Sequence, residues 1–368
     1  MIKVWNYLPE YHAEKEEVHA AITQVLESGW LILGTSVKGF EEAFSAYCGV
    51  KHGVGVDNGT NSLTLALKAL GIQCGDEVIT VSNTALPTVS GIVTAGGVPR
   101  FVDIARDTYL MNVEQIESRI TPRTRFLLPV HLYGQNVAME RVMEIARAHN
   151  LQVLEDCAQS HGALRHGRKS GSFGHTSSFS FYPTKLLGTF GDGGMVCTDD
   201  AEIAARLRRL RFYGMEKAYD ALEHGHNSRL DELHAEILLR KLPRLDGYIA
   251  RRRALAARYD RELAGTGLVL PKEKEGNTHA YYLYVARHPR RDEIIARLKE
   301  RDIVVNISYP WPIHTMKAYA YLGGQPGDLP ETEAAAKEIF SLPMYPSLTD
   351  EEQTQVIEAL KTICAGLV

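Results

Sequence analysis

The chain is short of cysteine and of net charge, and it has no long apolar run; each shortage removes a class of protein. Its five cysteines in 368 residues, Cys48, Cys74, Cys157, Cys197 and Cys364, are scattered, odd in number and without a CxxC pair. That pattern argues against a zinc site and against a disulfide framework, and fits a reducing cytoplasm. A net charge of −4 gives no whole-protein attraction to nucleic acid or to an anionic membrane. No apolar stretch is long enough to span a bilayer, and MIKVWNYLPEYHAEKEE carries charges where a signal peptide has its apolar core. A cytoplasmic protein without a membrane partner is expected. Internal repeats and low-complexity tracts are missing, as is a GxGxxG after the first strand-like segment, which removes the usual dinucleotide fingerprint. His52, His131, His161 and His175 share no metal-ligand spacing on one helix, so no metal is expected.

What is present is a globular composition, 45% hydrophobic and 23% charged, in a chain long enough for two domains. From about Val54 to Thr198 two periodicities alternate. GVGV, DEVITVS, RFVDI, FLLPVHLYG, LQVLED, SFSFYP and GMVCTDD read as strands, and Ser62 to Leu70, PTVSGIVTAG and MERVMEIARAHN as helices. The alternation predicts an α/β fold with a mainly parallel sheet, helices on both faces, and ligands beyond the carboxyl ends of the strands. After Asp199 the pattern changes. A helix at 201–211 precedes long helical sequence from Arg229 to Leu263, broken at Pro243. Strand-like AYYLYVAR and IVVNISY, the helix RDEIIARLKERD and a terminal helix after Thr349 then predict a smaller α+β domain. The boundary is expected near 245, giving 1–245 and 246–368, with the N-terminal helix partly bridging to the second unit. The basic stretches RLRRLR (206–211) and ARRRALAAR (250–258) are expected to be solvated helix faces.

Three segments carry chemistry. In FSFYPTKLLGTFGDGGMV, Lys185 follows an apolar strand and precedes glycines, so its amine is expected at a strand end; Asp192 is expected to orient neighbours there. In DNGTN (57–61) a glycine-containing turn enters a helix whose unpaired N–H groups and positive dipole end suit a phosphate, although the same residues also make an ordinary N-cap. In LQVLEDCAQ a buried-looking run ends in Glu155 and Asp156, one placed to hold a protonated ring nitrogen, the other free to face solvent or cap the next segment. A lysine amine, an acid, an anion cradle at Gly59 and Thr60 and the hydroxyl of Ser180, on ends of one sheet, form the set that a pyridoxal phosphate site requires.

The chain resembles the DegT/DnrJ/StrS sugar aminotransferases over nearly its whole length. The likeness rests on GWLILGTSVKGFEEAFSAYCGV, VDNGTNSLTLALKALGI, GDEVIT, VDI, PVHLYGQ, LEDCAQSHGA, SFSFYPTKLLGTFGDGGMV and HNSRLDELHAEILLRKL. It implies the type I (aspartate aminotransferase-like) transferase fold, with pyridoxal 5′-phosphate alternating with its pyridoxamine form. It also implies that Lys185 forms the Schiff base, that Asp156 pairs with the pyridine nitrogen and that Gln159 lies near the ring or its phenolic oxygen. Gly59, Thr60 and Ser180 would hold the phosphate, and Asn227 would reach the phosphate of a neighbouring subunit, making the functional unit a homodimer with composite sites. Tyr182, Tyr309 and His314 lie in segments that border the sugar in relatives. The implied reaction moves an amino group from an amino acid, L-glutamate by resemblance, to a nucleotide-linked 3-keto or 4-keto deoxy sugar; YPTK with GDGG looks like members that aminate the third sugar carbon. A cyclitol ketone and a non-catalytic, cofactor-binding regulator are the alternatives, whereas Lys185 argues against relatives that resemble this chain with histidine in its place and act as dehydratases. One position departs from many relatives: Ala85 stands where they carry an aromatic residue against the cofactor ring, so that either another side chain, with Leu86 the candidate, stacks there or the ring is held more loosely.

Overall fold

The computed structural model describes residues 1–367. Seven strands form one mixed sheet: β1 (His52–Val56), β2 (Glu77–Val81), β3 (Val98–Val102), β4 (Thr124–Leu127), β5 (Gln152–Asp156), β6 (Thr176–Ser180) and β7 (Gly194–Thr198). Their order in space is β1-β7-β6-β5-β4-β2-β3. Strand β7 runs antiparallel to β1 and β6, while the remaining neighbours are parallel. Every residue of EVITV in β2 and of TSSFS in β6 is buried, the pattern of strands covered on both faces. The run FLLPVHLYG stops pairing as a strand at Leu127, because Pro129 has no N–H to give, although Val130 keeps one bridge to Asp156.

Helices α1 (Leu8–Ser28), α2 (Thr35–Cys48), α3 (Gly59–Ala69), α4 (Leu86–Thr94), α5 (Met139–Ala148) and α6 (Ala201–Leu210) precede or surround the sheet. The long helical stretch divides into α7 (Glu232–Lys241), a 3₁₀ turn at Leu242–Arg244 and α8 (Leu245–Glu262), with Pro243 inside the break. Leu245 and Ile249 of α8 pack with Phe40, Phe44 and Phe181 beside the sheet. Two turns later Leu255, Ala256 and Tyr259 belong to a second core with Tyr284, Phe340 and Leu360. That core is built on β8 (Tyr284–Arg287) paired antiparallel with β9 (Ile339–Leu342), flanked by α9 (Arg291–Lys299), α10 (Pro330–Glu338) and α11 (Asp350–Ala365). The first residues of the chain join it too, since Ile2 N–H donates to Asp302 O at 2.8 Å and Val304 N–H to Ile2 O at 2.8 Å.

Three sequence expectations are corrected. AYYLYVAR pairs only from Tyr284, because Tyr281 sits at φ 49°, outside extended backbone. IVVNISY forms no strand, only single bridges from Ile303 to Ile2 and from Asn306 to Ser341. The two basic stretches are not wholly solvated, because each turns one arginine inward. Arg211 bonds the Glu41 carboxylate and Gly55 O; Arg252 donates to the carbonyls of Tyr281, Tyr282 and Met344. Guanidinium groups survive burial only with such partners.

Candidate active site

The carboxyl ends of β1, β5 and β6 open onto a cavity of about 210 Å³. Helix α3 begins there. Its N-cap Asn58 accepts from Asn61 N–H at 2.8 Å, and the N–H groups of Gly59 and Thr60 find no partner among the described residues. Position 59 must be glycine for the helix to start where it does, because a Cβ would stand 2.7 Å from Ser180 Cβ. That contact sets the Ser180 hydroxyl beside two free N–H groups at a positive helix end, an anion cradle assembled from two sheet ends.

Asp156, at the end of β5, lines the same cavity and is buried. Thr88 Oγ1 donates to its Oδ2 at 2.8 Å and Ala158 N–H to its Oδ1 at 3.1 Å, so each oxygen keeps an accepting lone pair. Burial raises its pKa, opposed in turn by the bonds from Thr88 and Ala158 and by the charge of Lys185. The neighbouring Glu155 neither faces solvent nor caps a helix. It is fully buried and accepts from the N–H groups of Phe173 at 2.8 Å, Gly174 at 2.7 Å and Gly171 at 3.1 Å, and bonds His131 Nε2 at 2.9 Å. His131 Nδ1 accepts from Val137 N–H, so Nε2 carries the hydrogen given to Glu155. Although His131, Glu155 and Cys157 lie close enough to hold an ion, burial pushes the Cys157 thiol well up, and the other two have their hydrogen bonds made.

Lys185 is half-buried in the turn after β6, its N–H bonded to Tyr182 O at 2.8 Å and its Nζ 4.7 Å from the centre of the Tyr282 ring. It lines the cavity with Tyr182, Asp192 and Gln159. Gln159 is fixed at both ends: Oε1 accepts from Tyr133 N–H at 2.8 Å, and Nε2 donates to Tyr309 Oη at 2.6 Å. Tyr309 therefore reaches the site through Gln159, and its ring stacks on Tyr133 at 6.2 Å.

The structure thus brings Gly59, Thr60, Asp156, Gln159, Ser180, Tyr182 and Lys185 to one cavity. It does not bring His314 there. The ring of His314 is held between Ser82 Oγ at 2.8 Å and Glu333 at 3.2 Å and faces a separate cavity with Arg100 and Arg119. Asn227 is exposed and lies off the cavity wall. Leu86 does not replace the missing aromatic, since it is exposed and off the wall, whereas Ala85 and Pro87 line it. Thr88 carries no spacing that marks it in the sequence, and His161, which the sequence marks only as lacking a metal-ligand spacing, is fully buried with neither ring nitrogen partnered among the described residues, its pKa pushed down to about 3 by burial and then by the charge of Lys185.

The donor set fits pyridoxal phosphate: free N–H groups and hydroxyls for an anion, a buried carboxylate with a lone pair for a ring nitrogen, and an amine between them. The DegT/DnrJ/EryC1/StrS aminotransferase family profile matches residues 12–361. The chain is 54% identical over 370 residues to a dTDP-3-amino-3,4,6-trideoxy-alpha-D-glucose transaminase of Micromonospora megalomicea subsp. nigra, covering 99% of each. It is 43% identical to a pleiotropic regulatory protein of Geobacillus stearothermophilus, covering 95% of each. The solved structure of S. venezuelae DesV in complex with a ketimine intermediate superposes with a TM-score of 0.97 at 42% identity, covering 99% of this chain and 98% of that one. With the fold, the cavity and these likenesses in agreement, the chain belongs to the DegT/DnrJ/EryC1/StrS aminotransferase family and uses pyridoxal 5′-phosphate as its cofactor.

Proposed function

We propose that the protein transfers an amino group from an amino acid, L-glutamate in the first instance, to the ketone of a nucleotide-linked deoxy sugar in aminosugar biosynthesis. The observation that carries this reading is the meeting of Lys185, Asp156 and the start of α3 on one cavity. The 54% identity to a transaminase named for a 3-amino sugar favours a 3-keto acceptor.

When bound, the cofactor supplies a covalent carrier for the amino group and an electron sink for the carbon that loses its proton. The chain's residues do the rest. The N–H groups of Gly59 and Thr60 with the Ser180 hydroxyl would hold the phosphate, and the Asp156 carboxylate would favour a protonated ring nitrogen through a charge-assisted bond. Gln159, locked by Tyr133 and Tyr309, would stand on the cavity wall beside the ring. The amine of Lys185, on the wall of the same cavity, would form the Schiff base with the cofactor and, as a neutral base, would carry the proton at the substrate carbon. Tyr182, 51% exposed at the rim, is placed to meet the sugar. Asn227, exposed and beyond reach of its own cavity, serves the phosphate of a second subunit, so the working unit is a cytoplasmic homodimer with shared sites. The chain divides functionally near 245, where α8 leaves the core beside the sheet for the second core.

The test loads the purified enzyme with the pyridoxamine form of the cofactor and presents nucleotide-linked 3-keto and 4-keto sugars and a cyclitol ketone. Return of the aldehyde-form absorbance with a 3-keto sugar is the expected result. The regulatory name of one relative motivates a second arm, in which L-glutamate alone is added to the aldehyde form. A protein that binds cofactor yet never exchanges its amino group with any donor refutes the enzymatic reading.

A further inference from the structure

Beyond Lys185 and Tyr182, which it shares with the cofactor cavity, lies a second chamber of about 370 Å³. Its walls are aromatic on the N-terminal side, where Trp5 stacks on Tyr7 at 5.6 Å and Phe190 meets the Tyr7 ring edge-on. Two cations line it as well, Arg252 and Lys241, the latter with its Nζ 5.4 Å from the centre of the Phe190 ring. Arg252 is 3% exposed, and its recorded hydrogen bonds all leave from Nη1, to the carbonyls of Tyr281, Tyr282 and Met344. Its buried Nε has no partner among the described residues, and neither does the buried Oγ1 of Thr189 on the same wall. A buried donor left unpaired is costly, and a guanidinium held by one nitrogen keeps a planar edge suited to two-point contact with a carboxylate. Burial lowers the Arg252 pKa to about 10, which leaves the group cationic at neutral pH. Lys241 Nζ is paired with Glu10 at 2.7 Å and lies 3.9 Å from Glu14, which leaves Arg252 and Lys185 as the cations of the wall without a carboxylate partner among the described residues.

We propose that this chamber receives the amino-acid donor, with the Nε edge of Arg252 and the Thr189 hydroxyl gripping a carboxylate while the donor amine faces Lys185. The proposal rests on the aminotransferase reading above and names the donor subsite within it. A dicarboxylic amino acid suits the surplus of positive charge, and the small chamber suits an amino acid better than a nucleotide-linked sugar, which is several times larger.

The two half-reactions separate this idea from its alternatives. In Arg252→Lys, which keeps the charge and shortens the planar edge away, L-glutamate should bind the aldehyde form at least tenfold more weakly. The pyridoxamine form should still react with the keto sugar within about twofold of the parent. Because Arg252 also ties three carbonyls, Thr189→Val repeats the measurement without touching those bonds, with a loss of threefold or more expected for glutamate alone. Calorimetry with glutarate, a dicarboxylate without an amine, reads the chamber in the holoenzyme without turnover: binding in the parent and its loss in both variants supports the subsite even if no sugar is accepted. Unchanged glutamate affinity in both variants, or equal losses in the donor and sugar half-reactions, overturns it.

Discussion

Replacing Thr88 by valine removes the hydroxyl that donates to the Asp156 carboxylate and accepts from the buried Thr84. Thr88 Oγ1 lies 2.8 Å from Asp156 Oδ2 and 2.9 Å from Thr84 Oγ1, so the Thr88 hydrogen points at the aspartate and Thr84 donates in turn to Thr88. A hydrogen bond to a charged acceptor contributes about 1.5–3 kcal/mol, and one pKa unit corresponds to about 1.4 kcal/mol. The variant should therefore raise the Asp156 pKa, already raised by burial, further. The sign of the pH dependence follows. With a folded pKa above the unfolded one, the native cofactor-free protein holds a proton that the unfolded chain has released, so its stability falls as pH rises between the two values. Thr88→Val extends that falling window upward and lowers cofactor-free stability above it by about 1.5–3 kcal/mol. Urea unfolding of the cofactor-free protein across a pH series measures the window. Cofactor titration at neutral pH should show weaker binding by roughly tenfold, since a more readily protonated aspartate is a poorer partner for the ring nitrogen. Thr88→Ser, which restores the hydroxyl, should recover both readouts. A Thr88→Val protein whose stability profile and cofactor affinity match the parent would refute the role assigned to this bond.

Lys185→Ala and Lys185→Arg should abolish multiple turnover while leaving far-ultraviolet circular dichroism and thermal unfolding near the parent, since the side chain is half-buried and its turn is held by backbone. Gly59→Ala should weaken cofactor binding at least tenfold and cost roughly 1–3 kcal/mol in urea unfolding, because its methyl must push Ser180 from 2.7 Å and so spread the anion cradle. Mixing tests Asn227: if it serves the partner's site, co-refolding inactive Lys185→Ala with a cofactor-deficient Asn227→Ala variant should restore about a quarter of parental sites, through hybrid dimers with one intact site. No recovery above the sum of the separate variants counts against a shared site.

The parts of this molecule that were legible in its sequence are those whose determinants are local. EVITV reads as a strand from its β-branched run and SFSFYP from its period-two alternation of serine and phenylalanine, and DNGTN reads as a helix start because its capping bond, Asn58 to Asn61, spans three residues. Lys185 and Asp156 stand out because a polar residue ends an apolar run. Thr88 and Arg252 do not, because what gives each its meaning lies far along the chain: Thr88 meets an aspartate 68 residues away, and Arg252 meets carbonyls 29, 30 and 92 residues away. A helix with an arginine in three successive positions looks solvated on every face, yet a helical turn must point one of them inward, and only the packing partner decides whether that one finds acceptors. The same reasoning explains IVVNISY, whose alternation suits a strand but whose neighbours, Ile2 and Ser341, come from opposite ends of the chain and each offer it a single bridge. Groups of this second kind, polar, buried and paired over long separations, also hold Asp156 and Gln159 on the cavity that Lys185 lines. Substitution at Thr88 or Gln159 should accordingly change cofactor binding and its pH dependence more than it changes the fold, whereas loss of the locally specified β-branched core of β2 should unfold the sheet that carries the site.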